Sequence, residues 1–256
     1  MIDISFISLV FISSMCFFAG FVDSIAGGGG LISLTSYYAI GLPADYALGN
    51  NKFSSTFGTL IATINYAKKK VIVWKIGIIA SVFALAGSSL GSNLALLIKD
   101  DFFSYIMLIL LPLITIITFV KKGGKKEPES FEISTSKCIV AALFGFAIGT
   151  YDGFFGPGTG MFLTLAFSSL SMPLLEASGT TKIVNLSSNI AALTVFVFNG
   201  NIVYKIALPC ALFSIIGNYL GSRFALKKKS KAIKPMLLFV IVILYIKIAM
   251  DLFTQK

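Results

Sequence analysis

The chain has 256 residues, of which 56% are hydrophobic and only 12% are charged, whereas soluble domains carry about 25% charged residues. Its charge-free runs approach or exceed the roughly 20 residues that cross a bilayer core, which excludes an ordinary soluble domain and indicates a polytopic membrane protein. The net charge of +10 comes from lysines in short loops between apolar segments, a distribution that sets membrane topology and argues against nucleic-acid binding.

Five apolar segments make up the first half of the chain, at residues 4–26, 31–42, 47–67, 76–98 and 102–120. The second segment is too short to span comfortably, so we expect a half-helix, a re-entrant arm or a short tilted span. The fourth segment carries Gly87, Ser88, Gly91 and Ser92. This pattern of small residues at four-residue spacing favours close packing between membrane helices.

Residues 121–136 contain the string KKGGKKEPE, and their Gly, Pro and charge predict a flexible, solvated cytoplasmic linker. The linker separates an N-terminal transmembrane repeat, residues 1–120, from a C-terminal one, residues 137–256. The second half repeats the plan of the first, with apolar segments at residues 138–155, 161–172, 177–198, 206–226 and 236–253.

The two halves carry the same interrupted motif. Residues 20–52 read GFVDSIAGGGGLISLTSYYAIGLPADYALGNNK, and residues 149–182 read GTYDGFFGPGTGMFLTLAFSSLSMPLLEASGTTK. Asp23 matches Asp152 at an offset of 129, and from Pro43 and Pro173 onwards the offset is 130. Such self-similarity predicts an internal duplication.

Loop charge predicts how the repeats are oriented. Loops 68–75, 121–126 and 227–234 are rich in lysine and are expected in the cytoplasm, whereas loops 99–101 and 199–205 carry one lysine each and are expected outside. The loop after the third segment is therefore inside in one half and outside in the other. We predict an all-α integral membrane protein of two inverted-topology repeats, with broken or re-entrant helices at the glycine-rich motifs and both termini extracytoplasmic. This architecture is typical of secondary transporters with a site at the membrane midplane.

Lys52 and Lys182 lie at equivalent places inside apolar segments. A lysine at membrane depth costs about 2.5–3.5 kcal/mol on insertion scales, so the pair is a candidate for binding an anion. The alternatives are snorkelling to the interface, or an internal ion pair.

Polar residues directly precede both lysines, in the strings Gly49-Asn50-Asn51 and Gly179-Thr180-Thr181. If the third segment begins there, exposed amides form a positive helix end suited to an anion, with ordinary helix capping as the alternative. The predicted substrate-binding residues of this region are Asn50, Asn51, Lys52, Thr180, Thr181, Lys182 and Asn185.

The glycine-rich strings at residues 27–30 and 156–160 predict unwound backbone along a substrate path, with tight helix crossings as the alternative. Pro157 removes an amide at the second string. A phosphate-binding P-loop is excluded because neither string ends in GK[ST]. The predicted substrate-binding residues here are Gly27, Gly28, Gly29, Gly30, Gly156, Gly158 and Thr159.

Asp23 and Asp152 are candidates for proton coupling, or for a structural role in which each accepts bonds from glycine-string amides or pairs with a lysine. The chain has no histidine, so no Ser-His-Asp or Cys-His catalytic set can exist. Its three cysteines lie in separate apolar segments without metal-ligand spacing. We therefore expect no enzyme activity, no metal and no cofactor.

With these motifs in place, the chain resembles the sulfite exporter TauE/SafE family, also called the TSUP family. The resemblance covers residues 17–226 and rests on GFVDSIAGGGGLI, LPADYALGNNKFSS, GTYDGFFGPGTGMF, PLLEASGTTKIVNLSSN and GNIVYK. It implies multi-pass carriers of the plasma membrane, often bacterial, that move small sulfur-containing or organic anions such as sulfite and sulfonates. It also implies that the motifs around the translocation path include Gly27 to Gly30, Lys52, Asp152, Gly156, Gly158 and Lys182.

One departure is expected within this motif: Leu31 stands where the second copy has Gly160, which would tighten the first broken helix. The resulting hypothesis is a secondary transporter that exports a small anion such as sulfite or an organosulfonate. Its partners are the anion, the lipid bilayer and a proton or counter-ion, and the sequence carries no signal for an oligomeric state. The alternatives are a passive anion channel, and a membrane assembly or scaffold protein without substrate.

Overall fold

The computed structural model describes residues 5–97 and 131–228, and in these two ranges the chain forms helices, short turns and no strand. The all-α prediction is confirmed for this part of the chain. The fifth apolar segment of each half, the loops at 99–101 and 121–126 and most of loop 227–234 lie outside the described residues. The two ranges contain eight helices: α1 Phe6–Ala26, α2 Gly29–Ala39, α3 Ala44–Lys68, α4 Trp74–Leu96, α5 Thr135–Phe154, α6 Thr159–Ser169, α7 Leu174–Phe198 and α8 Tyr204–Lys228.

Four of these helices, α1, α4, α5 and α7, are long and apolar enough to cross a membrane. Helices α2 and α6 have 11 residues each. At about 1.5 Å per residue they are roughly 16 Å long, half of the hydrocarbon core. Large apolar side chains such as Leu143 and Leu212 point outward, with 63% and 62% of their surface exposed. The helices therefore form a multi-pass membrane protein.

Prolines set where the third helix of each half begins. Pro43 and Pro173 are the N-cap residues of α3 and α7, and their φ angles of −54° and −52° suit the entry to a helix. Both helices consequently start three residues before the predicted boundaries at 47 and 177. Each then runs for 25 residues, and the polar motif lies inside the helix.

The short helices end in the same way in both halves. After α2, the Gly41 N–H bonds to the Tyr38 carbonyl and the Leu42 N–H to the Tyr37 carbonyl, at 2.9 and 3.3 Å. This is a Schellman motif, and its left-handed residue is Gly41 with φ +83°. After α6 the left-handed position is occupied by Ser171, with φ +66°.

The helix starts correct the expected alignment of the two motifs. Helices α2 and α6 begin at residues 29 and 159, an offset of 130, so the one-residue slip lies inside the breaks. The first break contains only Gly27 and Gly28, whereas the second contains residues 155–158. Leu31 therefore corresponds to Met161, and both side chains are buried. The prediction that Leu31 replaces Gly160 was wrong, and the structure aligns Gly30 with Gly160.

The two halves hold each other through two equivalent helix crossings. Helix α4 packs on α5, and α8 packs on α1. A Cβ at Gly91 would clash with the carbonyl oxygen of Thr150, and a Cβ at Gly221 would clash with that of Phe21. The predicted close packing at the small residues is confirmed. Each crossing joins one half of the chain to the other.

The left-handed residues after α2 and α6 predict that substitutions at Gly41 and Ser171 change protein stability in opposite directions. A non-glycine residue with left-handed backbone costs about 1–2 kcal/mol, because its Cβ crowds the following carbonyl. Ser171→Gly should therefore raise the melting temperature of the purified protein. The matched Gly41→Ser should lower it. Because open space surrounds Gly41, this cost would come from the backbone conformation alone. Shifts of the same sign in both variants would contradict this interpretation.

Candidate functional site

The two helix breaks touch each other in the protein interior. The Met161 N–H donates to the Gly27 carbonyl at 3.2 Å, and Gly30 packs against Pro157. Gly27 has a left-handed φ of +80°, and a Cβ there would clash with the backbone of Gly160. Both the backbone angle and the close approach require glycine at this position. The break between α1 and α2 is thereby fixed against the break between α5 and α6.

Lys52 of α3 forms an ion pair with Asp152 of α5. Its Nζ lies 2.8 Å from Asp152 Oδ1, and the two side chains are 1% and 3% exposed. The same Nζ donates to Asn189 Oδ1 at 3.2 Å, and Asp152 Oδ2 accepts from Ser188 Oγ at 2.6 Å. The two opposite charges compensate each other, and each carries a further hydrogen bond, as buried charges require.

Lys182 of α7 forms the corresponding pair with Asp23 of α1. Its Nζ lies 3.4 Å from Asp23 Oδ2, and the side chains are 1% and 17% exposed. The Nζ also donates to the backbone carbonyl of Asp23. This carbonyl belongs to the last turn of α1, where the helix dipole is negative and favours a cation. The lysine therefore stabilises the end of the broken helix as well as the carboxylate.

Both ion pairs cross between the halves, because each lysine reaches the aspartate of the other repeat. With 1% of each lysine side chain exposed, snorkelling to the interface was the wrong alternative. The internal ion pair is what the structure shows, and pairing with a lysine is also the structural role weighed for Asp23 and Asp152. The four charges sum to zero, so the resting arrangement presents no uncompensated lysine to an anion.

The predicted helix-end amides are not at residues 49–51 and 179–181. Asn50 and Thr180 each stand seventh in their helix, since α3 begins at Ala44 and α7 at Leu174. Backbone amides at that depth bond within the helix and are not free for a ligand. This prediction was wrong because the prolines start both helices earlier than the apolar pattern suggests.

The side chains of the predicted polar residues bond mainly to neighbouring protein atoms. They connect neighbouring helices or turns, in one case across the two halves, and in the described ranges none of them forms a hydrogen bond with a lysine Nζ. Two of them donate to a backbone carbonyl: Asn50 Nδ2 to that of Tyr46, and Thr159 Oγ1 to that of Gly156. The other four accept a hydrogen bond: Asn51 Oδ1 from Ser33 Oγ, Thr180 Oγ1 from the Val73 N–H, Thr181 Oγ1 from Thr164 Oγ1, and Asn185 Oδ1 from Asn189 Nδ2. A role for these residues in binding substrate stays a prediction.

The glycine-rich strings are only partly unwound. Gly27, Gly28, Gly156 and Gly158 lie outside the helices, whereas Gly29 and Gly30 form the first turn of α2. The helix N-termini nearest to the breaks, with their free backbone amides, are therefore those of α2 and α6.

A narrow polar cavity of about 10 Å³, the room that one water needs, lies beside Asp23 between α1, α2, α3 and α8. Of the predicted substrate residues, only Gly29 and Gly30 line it. Neither lysine does. Its polar lining includes Asp23, Ser33, Ser55, Thr59, Ser214 and Asn218.

Sequence reasoning missed the α8 contribution to this cavity. Ser214 and Asn218 are spaced four apart, which places them on one helix face, and both are buried. A Cβ at Gly58 would clash with both side chains, so the glycine makes room for them. The signal in the sequence was this pair of polar residues in an otherwise apolar segment. Within residues 5–97 and 131–228, no three His, Cys, Asp or Glu residues lie together as a metal-binding group.

Relatives of the chain are membrane transporter proteins by name. It is 35% identical over 254 residues to "Probable membrane transporter protein ORF9" of Sinorhizobium sp, covering 97% of this chain and 95% of that one. It is 31% identical over 240 residues to "Probable membrane transporter protein YfcA" of Escherichia coli (strain K12), covering 93% and 88%. A "Probable membrane transporter protein" of Haemophilus influenzae is 31% identical over 255 residues, covering 97% of both chains.

No solved structure matches the chain. The model of the family described as "Sulfite exporter TauE/SafE" matches residues 12–248, which include both breaks and both ion pairs. The chain is therefore a membrane transporter that belongs to the sulfite exporter TauE/SafE family.

Proposed function

We propose that this protein is a secondary transporter that exports a small anion, such as sulfite or an organosulfonate, across the plasma membrane. The observation that carries the proposal is the pair of buried lysines, each held at a helix break by the aspartate of the other half. Intramembrane ionisable residues at such breaks are the usual markers of a substrate path.

The ion pairs suggest how the site would take an anion. While both aspartates are ionised, each lysine is neutralised and the site attracts no further negative charge. Removing one partner from a buried pair leaves an uncompensated charge, at a cost of about 3–5 kcal/mol. If a proton or a cation neutralises an aspartate, the released lysine gains this much from a new anionic partner. The anion would thus replace the carboxylate.

Amides near the lysines would supply hydrogen bonds to the anion. The starts of α2 and α6 lie beside the touching breaks, and helix N-termini favour negative charge. In this proposal the substrate contacts come from the freed lysine and the two helix starts, with polar groups around them. These residues are Gly27 to Gly30, Asn50, Asn51, Lys52, Gly156, Gly158, Thr159, Thr180, Thr181, Lys182 and Asn185.

We further propose that the halves have inverted topology and alternate around this site. Support comes from the lysine distribution of the loops and from the equivalent crossings of α4 on α5 and α8 on α1. A twofold relation that exchanges the two ion pairs would let the site open to either side of the membrane with the same contacts. Helices α2 and α6 are then the re-entrant arms.

Variants of the Lys182–Asp23 pair should shift anion affinity in opposite directions. Lys182→Gln removes the cation, and losing a hydrogen bond to a charged group costs about 1.5–3 kcal/mol, which is roughly a ten- to hundredfold weaker affinity. Asp23→Asn removes the competing carboxylate and should bind anions at least as tightly as the unmodified protein. Thermal-shift titrations with the choline salts of sulfite, sulfate, methanesulfonate and acetate measure both effects.

Lys69→Gln is the control for these titrations, because Lys69 is an exposed loop lysine and its loss should leave affinity unchanged. Reconstituted into liposomes, the unmodified protein should move the anion uphill, driven by a cation gradient. Equal loss of anion binding in Lys182→Gln and Asp23→Asn would contradict the proposed exchange of carboxylate for substrate.

Inverted topology predicts that the loops after α3 and α7 face opposite sides of the membrane. Single cysteines at Lys69→Cys and Asn199→Cys, in a chain whose Cys16, Cys138 and Cys210 are replaced by serine, report each loop. A membrane-impermeant maleimide should label Asn199→Cys in intact cells, and Lys69→Cys only after permeabilisation. Labelling of both from the same side would rule out the inverted arrangement.

A further inference from the structure

We propose that the polar cavity beside Asp23 is a binding site for one small monovalent cation, of the size and chemistry of Na⁺. The site lies at the Lys182–Asp23 pair and is lined by α1, α2 and α3 of the first half and α8 of the second. Its coupling to anion transport rests on the proposed function above, whereas cation binding itself does not.

Asp23 has acceptor capacity that its counterpart lacks. Both carboxylate oxygens of Asp152 are engaged, one by Lys52 at 2.8 Å and the other by Ser188 at 2.6 Å. The Asp23 carboxylate contacts Lys182 through Oδ2 alone, at the longer distance of 3.4 Å, and its Oδ1 has no partner among the described residues. The Asp23 side chain is 17% exposed, against 3% for Asp152, and it lines the cavity.

A second acceptor in the same lining lacks a donor. Asn218 is 2% exposed, and its Nδ2 bonds to the carbonyl and Oγ of Ser214 at 3.0 and 3.3 Å. Its Oδ1 is buried with no hydrogen-bond partner among the described residues. A buried amide oxygen without a partner is destabilising, and a cation in the cavity would satisfy it.

The rest of the lining suits a small cation and excludes an anion. Ser55 and Thr59, which carry hydroxyl groups, line the cavity with Asp23 and Asn218, and hard cations take oxygen ligands of these kinds. No lysine or arginine lines the cavity. Its volume of about 10 Å³ accepts one water-sized body, which is too small for a sulfur oxyanion.

At the Lys52–Asp152 pair, aliphatic side chains stand at two of the positions equivalent to polar residues of the cavity. Ser33 and Ser54 line the cavity, and at an offset of 130 their counterparts are Leu163 and Val184, which are 1% and 0% exposed. On the Lys52–Asp152 side, both carboxylate oxygens are therefore engaged and aliphatic side chains fill these positions. The Lys182–Asp23 side is open to one more positive charge.

Cation binding at this position would act directly on Lys182. The cation and the lysine would share one carboxylate, so binding weakens the hold of Asp23 on the amine and leaves the site with a net positive charge. An anion restores neutrality. By linkage, each ligand should then raise the affinity of the other by the same factor.

The test is a titration of the purified full-length protein with NaCl, with choline chloride holding ionic strength and chloride constant. The melting temperature should rise saturably with Na⁺, and ²²Na⁺ binding should saturate over the same range. Thr59→Val, which keeps side-chain size, and Asn218→Ala should each raise the half-saturating Na⁺ concentration by at least about tenfold, equivalent to about 1.4 kcal/mol.

Ser88→Ala is the matched control, because Ser88 occupies the position equivalent to Asn218 in the other half and lies outside the cavity. Its Na⁺ response should equal that of the unmodified protein. Identical responses to Na⁺ and choline, or a Na⁺ response that survives in Thr59→Val and Asn218→Ala, would overturn the proposal. So would a melting temperature that depends on pH and not on Na⁺, which would assign the cavity to a proton.

The cation site and the proposed transport function can fail separately. Anion binding is measured with choline salts both without Na⁺ and at a fixed high NaCl concentration, and cation binding is measured in chloride without the substrate anion. Lys182-dependent anion binding combined with no Na⁺ response would reject the cation site alone. Specific Na⁺ binding without any anion response would reject the proposed substrate class and leave the cation site in place.

Discussion

Two buried ion pairs that cross between the halves are the interaction on which this structure depends. A lysine or an aspartate alone in a membrane interior is costly, and here each finds its partner only when the other half is in place. The pairs also lie at the helix breaks, where Lys182 bonds to the last turn of α1. The same contacts therefore neutralise the buried charges, bond to the end of α1 and link the two halves of the chain.

The close crossings and the ion pairs support each other. Glycines at equivalent positions let α4 approach α5 and α8 approach α1, which brings α8 against the helix that carries Asp23. On that side Asn218 and Ser214 line the same cavity as Asp23. The equivalent position on the other side holds Ser88, which bonds to the Ser188 carbonyl at 2.6 Å. The two pairs therefore differ: Asp152 is 3% exposed with both carboxylate oxygens engaged, whereas Asp23 is 17% exposed and lines a cavity.

Much of the fold could be predicted because its signals are local. Apolar length predicted the helices, the glycine strings predicted the breaks, and the repeated motif predicted the duplication. The start of α3 was misplaced by three residues because the apolar run begins after the proline, whereas the helix begins at it. That small error moved Asn50 and Asn51 from a helix end into a helix interior.

The site itself could be predicted only in part. Lys52, Lys182, Asp23 and Asp152 stood out as charges in apolar segments, but their pairing depends on how the halves dock, which no local pattern encodes. The cavity was missed for the same reason. It is lined by Asp23, Thr59 and Asn218 among others, residues of three different helices that come together only after folding.

Reciprocal charge exchange is the most direct test of the crossed pairing. Lys52→Asp and Asp152→Lys should each destabilise the purified protein by about 3–5 kcal/mol, because each leaves like charges buried together. The double variant should recover at least about half of that loss, which a double-mutant cycle on the melting temperature measures. Lys52→Asp combined with Asp23→Lys, the exchange within one half, should recover nothing. Additive losses of stability in Lys52→Asp/Asp152→Lys, or recovered stability in Lys52→Asp/Asp23→Lys, would contradict the crossed pairing.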